Sequence, residues 1–149
     1  MFQRILIAWD GSLVARRALD VAIDLARRYG GELVAVSVAN SPTHAETAAD
    51  RAESVQAARA HLLETLDRVG DRAERAGVDL EHVVIEGDRP AEDLLAYAHE
   101  HAFDLIVAGH HRTGRAGRLL LRDVPERLVA SAEVPVLIVG EAINGARAR

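Results

Sequence analysis

The sequence predicts an α/β fold: one five-stranded parallel sheet with helices on both faces. Three observations carry that expectation. Short apolar runs alternate with helical patterns four times and close on a fifth run, which implies right-handed strand–helix–strand units. Hydrophobic residues make up 49% of the 149 residues but aromatics only 3%, so the core is aliphatic, as in parallel strands covered by helices. Gly and Pro punctuate the runs at the places where turns are needed.

The elements follow in order. Residues 4–8 form a short apolar run, read as the first buried strand. Asp10, Gly11 and Ser12 end it and start a helix whose apolar face is Ala15, Ala18, Leu19, Ala22, Ile23 and Ala26, opposite Arg16, Arg17, Asp20 and Arg27. Gly30 is its expected left-handed C-cap. Residues 33–38 are the second strand, and the polar stretch 40–47 with Pro42 is a loop. The spacing Val55, Ala58, Leu62, Leu66, Val69, Ala73 predicts one long helix over about 48–75, ended by Gly77. Residues 80–85 form a third strand, interrupted by Glu81 and His82. Pro90 suits the first turn of a third helix with Ala91, Leu94, Leu95 and Ala98 on its face. Residues 105–108 are the fourth strand, 124–131 the last helix and 136–139 the fifth strand. The reading is one domain over 1–149, with its core at about 4–139 and a frayed tail at 140–149.

Composition narrows the function. A net charge of −5 and a pI near 5.8 disfavour a nucleic-acid binder. With no Cys there is neither a disulfide nor a zinc–thiolate site. No apolar run approaches the roughly 20 residues of a membrane span, and the N-terminus enters a strand directly without a small-residue cleavage site. The expectation is a soluble cytoplasmic protein with no membrane partner.

In open parallel sheets, ligands sit at the carboxyl ends of the strands where the strand order reverses. That point is expected between strands one and four, within an order 3-2-1-4-5. Ala8, Trp9 and Asp10, the second strand's end near Val38, and the loop after Gly109 should then surround one crevice.

Four features together resemble the universal stress protein family. They are ILIAWDGSLVARRAL at the first strand and helix, EGDRPAEDLLAYAHEHAFDLIVAG at the third helix and fourth strand, RLLLRDVPERLVASAEVPVLIV at the close, and the order of all five strands. The resemblance covers residues 4–139. It implies a Rossmann-like, adenine-nucleotide alpha-hydrolase-like fold, a homodimer formed through the last strand, and a crevice in which many members bind ATP. It also implies a phosphate motif of Gly, two residues, Gly, nine residues, Gly, then Ser or Thr. Counted from Gly109, the later positions are Arg112, Arg122 and Asp123, so only the first Gly matches. Gly114 and Gly117 have the short spacing, but Arg127 and Leu128 stand nine residues on. A P-loop is excluded because Arg115-Ala116 replaces its Lys-Ser/Thr.

Glycines in such loops let backbone N–H groups converge on an anion. Arg in their place costs about 1–2 kcal/mol wherever a left-handed conformation is required. Asp123-Val124-Pro125-Glu126 reads as a capping-box variant, in which the Asp123 carboxylate takes the N–H donors a phosphate would use. Arg112, Arg115, Arg118 and Arg122 return attraction of comparable size, so charge alone does not decide. Loss of the cradle leans against tight ATP binding. Weaker binding of AMP, ADP or another anion stays open, as does an ATP- or AMP-dependent switch or slow ATPase.

Each candidate has a plainer reading. Asp10 either faces the adenine or ribose or caps the first helix. Val38 and Trp9 either line the base pocket or pack the sheet end, with packing favoured. The loop arginines are an anion site or a solvated basic face. His110-His111 and His99/His101 invite a metal reading, but no carboxylate stands at ligand spacing, so no metal is expected. No Ser-His-Asp set or carboxylate pair is apparent, and no catalytic residue is assigned.

Overall fold

A computed structural model describes residues 1–41, 45–111 and 123–141. The elements are β1 (Arg4–Ala8), α1 (Leu13–Tyr29), β2 (Glu32–Asn40), α2 (Ala48–Asp67), α3 (Asp71–Arg75), β3 (Leu80–Gly87), α4 (Pro90–Glu100), β4 (Leu105–His110), α5 (Val124–Ser131) and β5 (Val136–Gly140). The strands form one parallel sheet in the order β3-β2-β1-β4-β5, as expected.

Strand alternation divides the core in two. Ile5, Ile7 and Trp9 face Leu19 and Ile23 of α1, Leu66 of α2 and Ala73 of α3. Leu6 and Ala8 face Leu94 of α4 and Val124 and Leu128 of α5. Each Leu or Ile buried in these layers contributes about 1.5–3 kcal/mol of transfer free energy.

One helix and three strand ends differ from expectation. The helix expected over 48–75 breaks after Asp67: Val69 N–H donates to Leu66 O over three residues at 3.0 Å, and α3 begins beyond Gly70. The apolar spacing continues across this tightened turn, so periodicity alone does not reveal it. β2, β3 and β4 also run two residues past their apolar cores, because the ladder pairs Asn40 with Gly87 and His110 with Gly140 through backbone alone. Gly30 is the left-handed C-cap of α1 (φ 65°).

Candidate functional site

The crevice lies at the carboxyl ends of β1 and β4, where the order reverses. Ala8, Asp10, Ser12, Ala108, Gly109, His111, Val124 and Pro125 line it. Its enclosed volume is about 10 Å³, far below the roughly 300–1,000 Å³ typical of small-molecule sites. Arg112, Arg115, Arg118 and Arg122 lie outside the described residues, as do Gly114 and Gly117.

On the β1 side, Asp10 Oδ1 accepts from Ser12 N–H at 2.9 Å, an Asx turn that reverses the chain. Ser12, not Asp10, is the N-cap of α1: its Oγ accepts from Ala15 N–H at 3.2 Å. Between them Gly11 has φ +80°, and a Cβ there would stand 3.0–3.1 Å from the Thr65 side chain, so the turn requires glycine on both counts. Asp10 also lines the crevice, so its turn-forming role and a ligand contact are compatible.

Trp9 does not line the crevice. Its side chain is 1% exposed and lies in the α1/α2 layer, with the indole Nε1–H donating to Thr65 Oγ1 at 3.0 Å. Alternation explains this, since Ala8 and Trp9 must face opposite sides of the sheet. Val38 is displaced for a different reason. β2 continues to Asn40, so position 38 is not the strand end, and its side chain packs in the α4 layer.

On the β4 side, Gly109 touches α1. A Cβ at this position would stand 2.8 Å from both the carbonyl carbon and oxygen of Val14 and 3.0 Å from its Cγ1. Close approach of strand and helix backbones explains this glycine without any phosphate. His110, the last residue of β4, and His111 beyond it meet different partners. His110 Nε2 lies 2.8 Å from Glu126 Oε1, and His111 Nδ1 lies 3.7 Å from Glu141 Oε1. Among the described residues no cluster of three His, Asp or Glu is placed to hold a metal.

The capping box expected at α5 is not formed. Asp123 sits at the N-cap with φ −100° and ψ 1°, outside the extended region that aims a cap side chain at the helix N–H groups, and its carboxylate caps nothing. Glu126 does not reach back either. Its own backbone N–H, and next His110, hold its carboxyl below the ordinary range. Pro125 supplies no N–H. The result is an exposed Asp123 carboxylate at the start of α5, beside the crevice residues Val124 and Pro125.

Sequence reasoning missed Ser12, His111 and Pro125. Ser12 carried a cap signal that was assigned to its neighbour. His111 was weighed only as a metal ligand. Below the crevice, Ser37 Oγ donates to Trp9 O at 2.7 Å and lies 3.0 Å from His82 Nε2. The Ser37 proton is committed to the carbonyl, so His82 donates to the hydroxyl. With Ser37 1% exposed, this pair braces the sheet rather than forming a nucleophile.

A doubly wound sheet with its crevice at the switch point, and a strand–loop–helix segment beside it, defines the Rossmann-like class of ligand-binding folds. Within that class the universal stress protein family model matches residues 1–140, and the chain belongs to that family. A universal stress protein of Methanocaldococcus jannaschii is 34% identical over 143 residues, spanning 93% of this chain and 82% of that one. A universal stress protein solved in complex with cAMP is 29% identical with a TM-score of 0.69, covering 93% of this chain and 97% of its own. UspA from Lactobacillus plantarum has a TM-score of 0.80 over 93% and 97% of the two chains; at 24% identity that likeness bears on the fold. Among the described residues, no helix is long and apolar enough to cross a membrane.

Proposed function

We propose that residues 1–149 act as one regulatory stress-protein domain, a cytoplasmic homodimer without tight ATP binding. The uncapped Asp123 carboxylate at the start of α5 carries this reading. An anion approaching those N–H groups meets a like charge. At about 4 Å the repulsion is roughly 1 kcal/mol in water and about 4 kcal/mol at surface dielectrics. Pro125 removes one donor outright. The dimer reading is supported by β5, an edge strand of the sheet. Leu137 on it is 36% exposed and Val129 on the adjoining α5 is 61% exposed.

A second reading, a crevice for an adenosine monophosphate, is favoured by the relative solved with cAMP. A single phosphate carries less charge past Asp123 than a triphosphate does.

Calorimetry with Mg-ATP, AMP and cAMP tests both readings. No saturable heat is expected below millimolar ATP. The double variant Arg122→Gly, Asp123→Ser should bind ATP about fivefold or more tighter, the equivalent of about 1 kcal/mol. Micromolar ATP binding by the native chain would overturn the first reading. Micromolar cAMP or AMP binding with silent ATP would replace it with the second. Sedimentation showing only monomer at high concentration would remove the dimer.

A further inference from the structure

We infer that the first half of the β3 edge is a docking site for an extended basic peptide from a partner protein. β3 is an outer strand of the sheet. Gly87 O points inward, accepting from Ser41 N–H at 3.4 Å, while Val84 O points outward and accepts from Arg59 Nη1 at 3.2 Å. Backbone groups alternate sides along a strand, so Leu80 and His82 also point outward. Arg59 of α2 covers the edge at Val84. Among the described residues, nothing bonds the outward backbone groups of Leu80 and His82.

The uncovered half opens on a groove of about 680 Å³ between β3 and the end of α2 with α3. Its rim carries Asp67, Asp71, Glu74 and Asp79, and no Lys or Arg is among its lining residues. Asp71 is paired with Arg75; Asp67, Glu74 and Asp79 form no ion pair among the described residues. Leu66, Val78 and Leu80 supply an apolar floor.

These features select the occupant. Lys and Arg lay an aliphatic stem on apolar surface while the charged head reaches a carboxylate. An extended backbone satisfies the free N–H and C=O groups of the edge, the β-augmentation mode of peptide recognition. A nucleic acid would meet the carboxylates of Asp67, Glu74 and Asp79, unpaired among the described residues.

The test uses the full chain and a fluorescein-labelled decapeptide alternating Val with Arg, followed by anisotropy at low and moderate salt. Hydrogen exchange is read at residues 78–84. Saturable binding is expected, with slowed exchange at Leu80 and His82. The surface variant Asp67→Asn, Glu74→Gln should bind at least tenfold more weakly. A peptide of the same side chains with N-methylated backbone amides should lose most of its affinity. Absence of binding, unchanged exchange at Leu80 and His82, or equal binding of the N-methylated peptide would each overturn the proposal. Equal affinity of the double variant would do the same.

Discussion

Gly109→Ala isolates what the surviving motif glycine does. The added methyl group would stand 2.8 Å from the Val14 carbonyl carbon and oxygen, inside any real Cβ contact. Those atoms belong to the α1 backbone, so no rotamer change relieves the clash; β4 and α1 must separate. Overpacking of this kind costs about 1–3 kcal/mol. An unfolding entropy of about 2.1 cal/mol/K per residue over 149 residues makes each kcal/mol worth roughly 3 °C. The expected loss is thus about 3–10 °C in Tm, with a matching fall in the urea midpoint at unchanged slope. The control is Gly140→Ala, where a Cβ meets nothing within 4 Å, and it should stay within about 0.5 kcal/mol of the native chain. Both are measured without nucleotide. A Gly109→Ala variant as stable as the Gly140→Ala control would refute the packing account and return Gly109 to a purely ligand-binding role.

Two further outcomes follow from the braces beneath the crevice. Burial holds the His82 imidazole below its ordinary value, with Asp67 opposing that and Arg59 reinforcing it. The unfolded chain then binds the proton more readily, so His82 leaves stability intact above about pH 6.5 and withdraws it as pH falls through the folded-state value. His82→Gln should flatten that part of the stability–pH curve; an unchanged slope would show that other groups set it. Thr65→Val removes the acceptor of the Trp9 indole and should cost about 1–2 kcal/mol, with a shift in Trp9 emission read by fluorescence. Because Trp9 lies in the α1/α2 layer, nucleotide addition to the native chain should leave that emission unchanged, and a saturable change would place the ring nearer the crevice.

The sheet was legible because its strands are aliphatic and separated by glycine-bearing turns. Periodicity of two and of 3.6 located eight of the ten elements to within two residues at their ends. The break between α2 and α3 was hidden because Leu66, Val69 and Ala73 keep helical spacing through a turn held by three-residue hydrogen bonds. At the candidate site, Ala8, Asp10, Gly109 and Val124 line one crevice. Trp9 does not, because the alternation that puts Ala8 on the α4 face puts Trp9 on the other. Val38 failed because a ladder can outrun its apolar residues. Asp123 failed for a subtler reason: Asp followed by Glu three residues later is a capping signal only if the backbone at the cap is extended, and here it is not.

That last failure relocates the inference about nucleotide. Gly109 meets α1 whatever ligand is present, so its presence is no evidence for a phosphate site. Asp123 is exposed and its side chain makes no cap, so no packing demand in the described residues explains a carboxylate there. A residue held by the fold reports on the fold, whereas a residue free of it reports on what approaches the surface. The two positions should therefore separate in experiment: Gly109→Ala changes stability without needing a ligand, and Asp123→Ser changes anion affinity while leaving stability within about 0.5 kcal/mol. If Asp123→Ser instead destabilised the apo chain by more than about 1 kcal/mol, the carboxylate would be serving α5 after all, and its meaning for ATP would be lost.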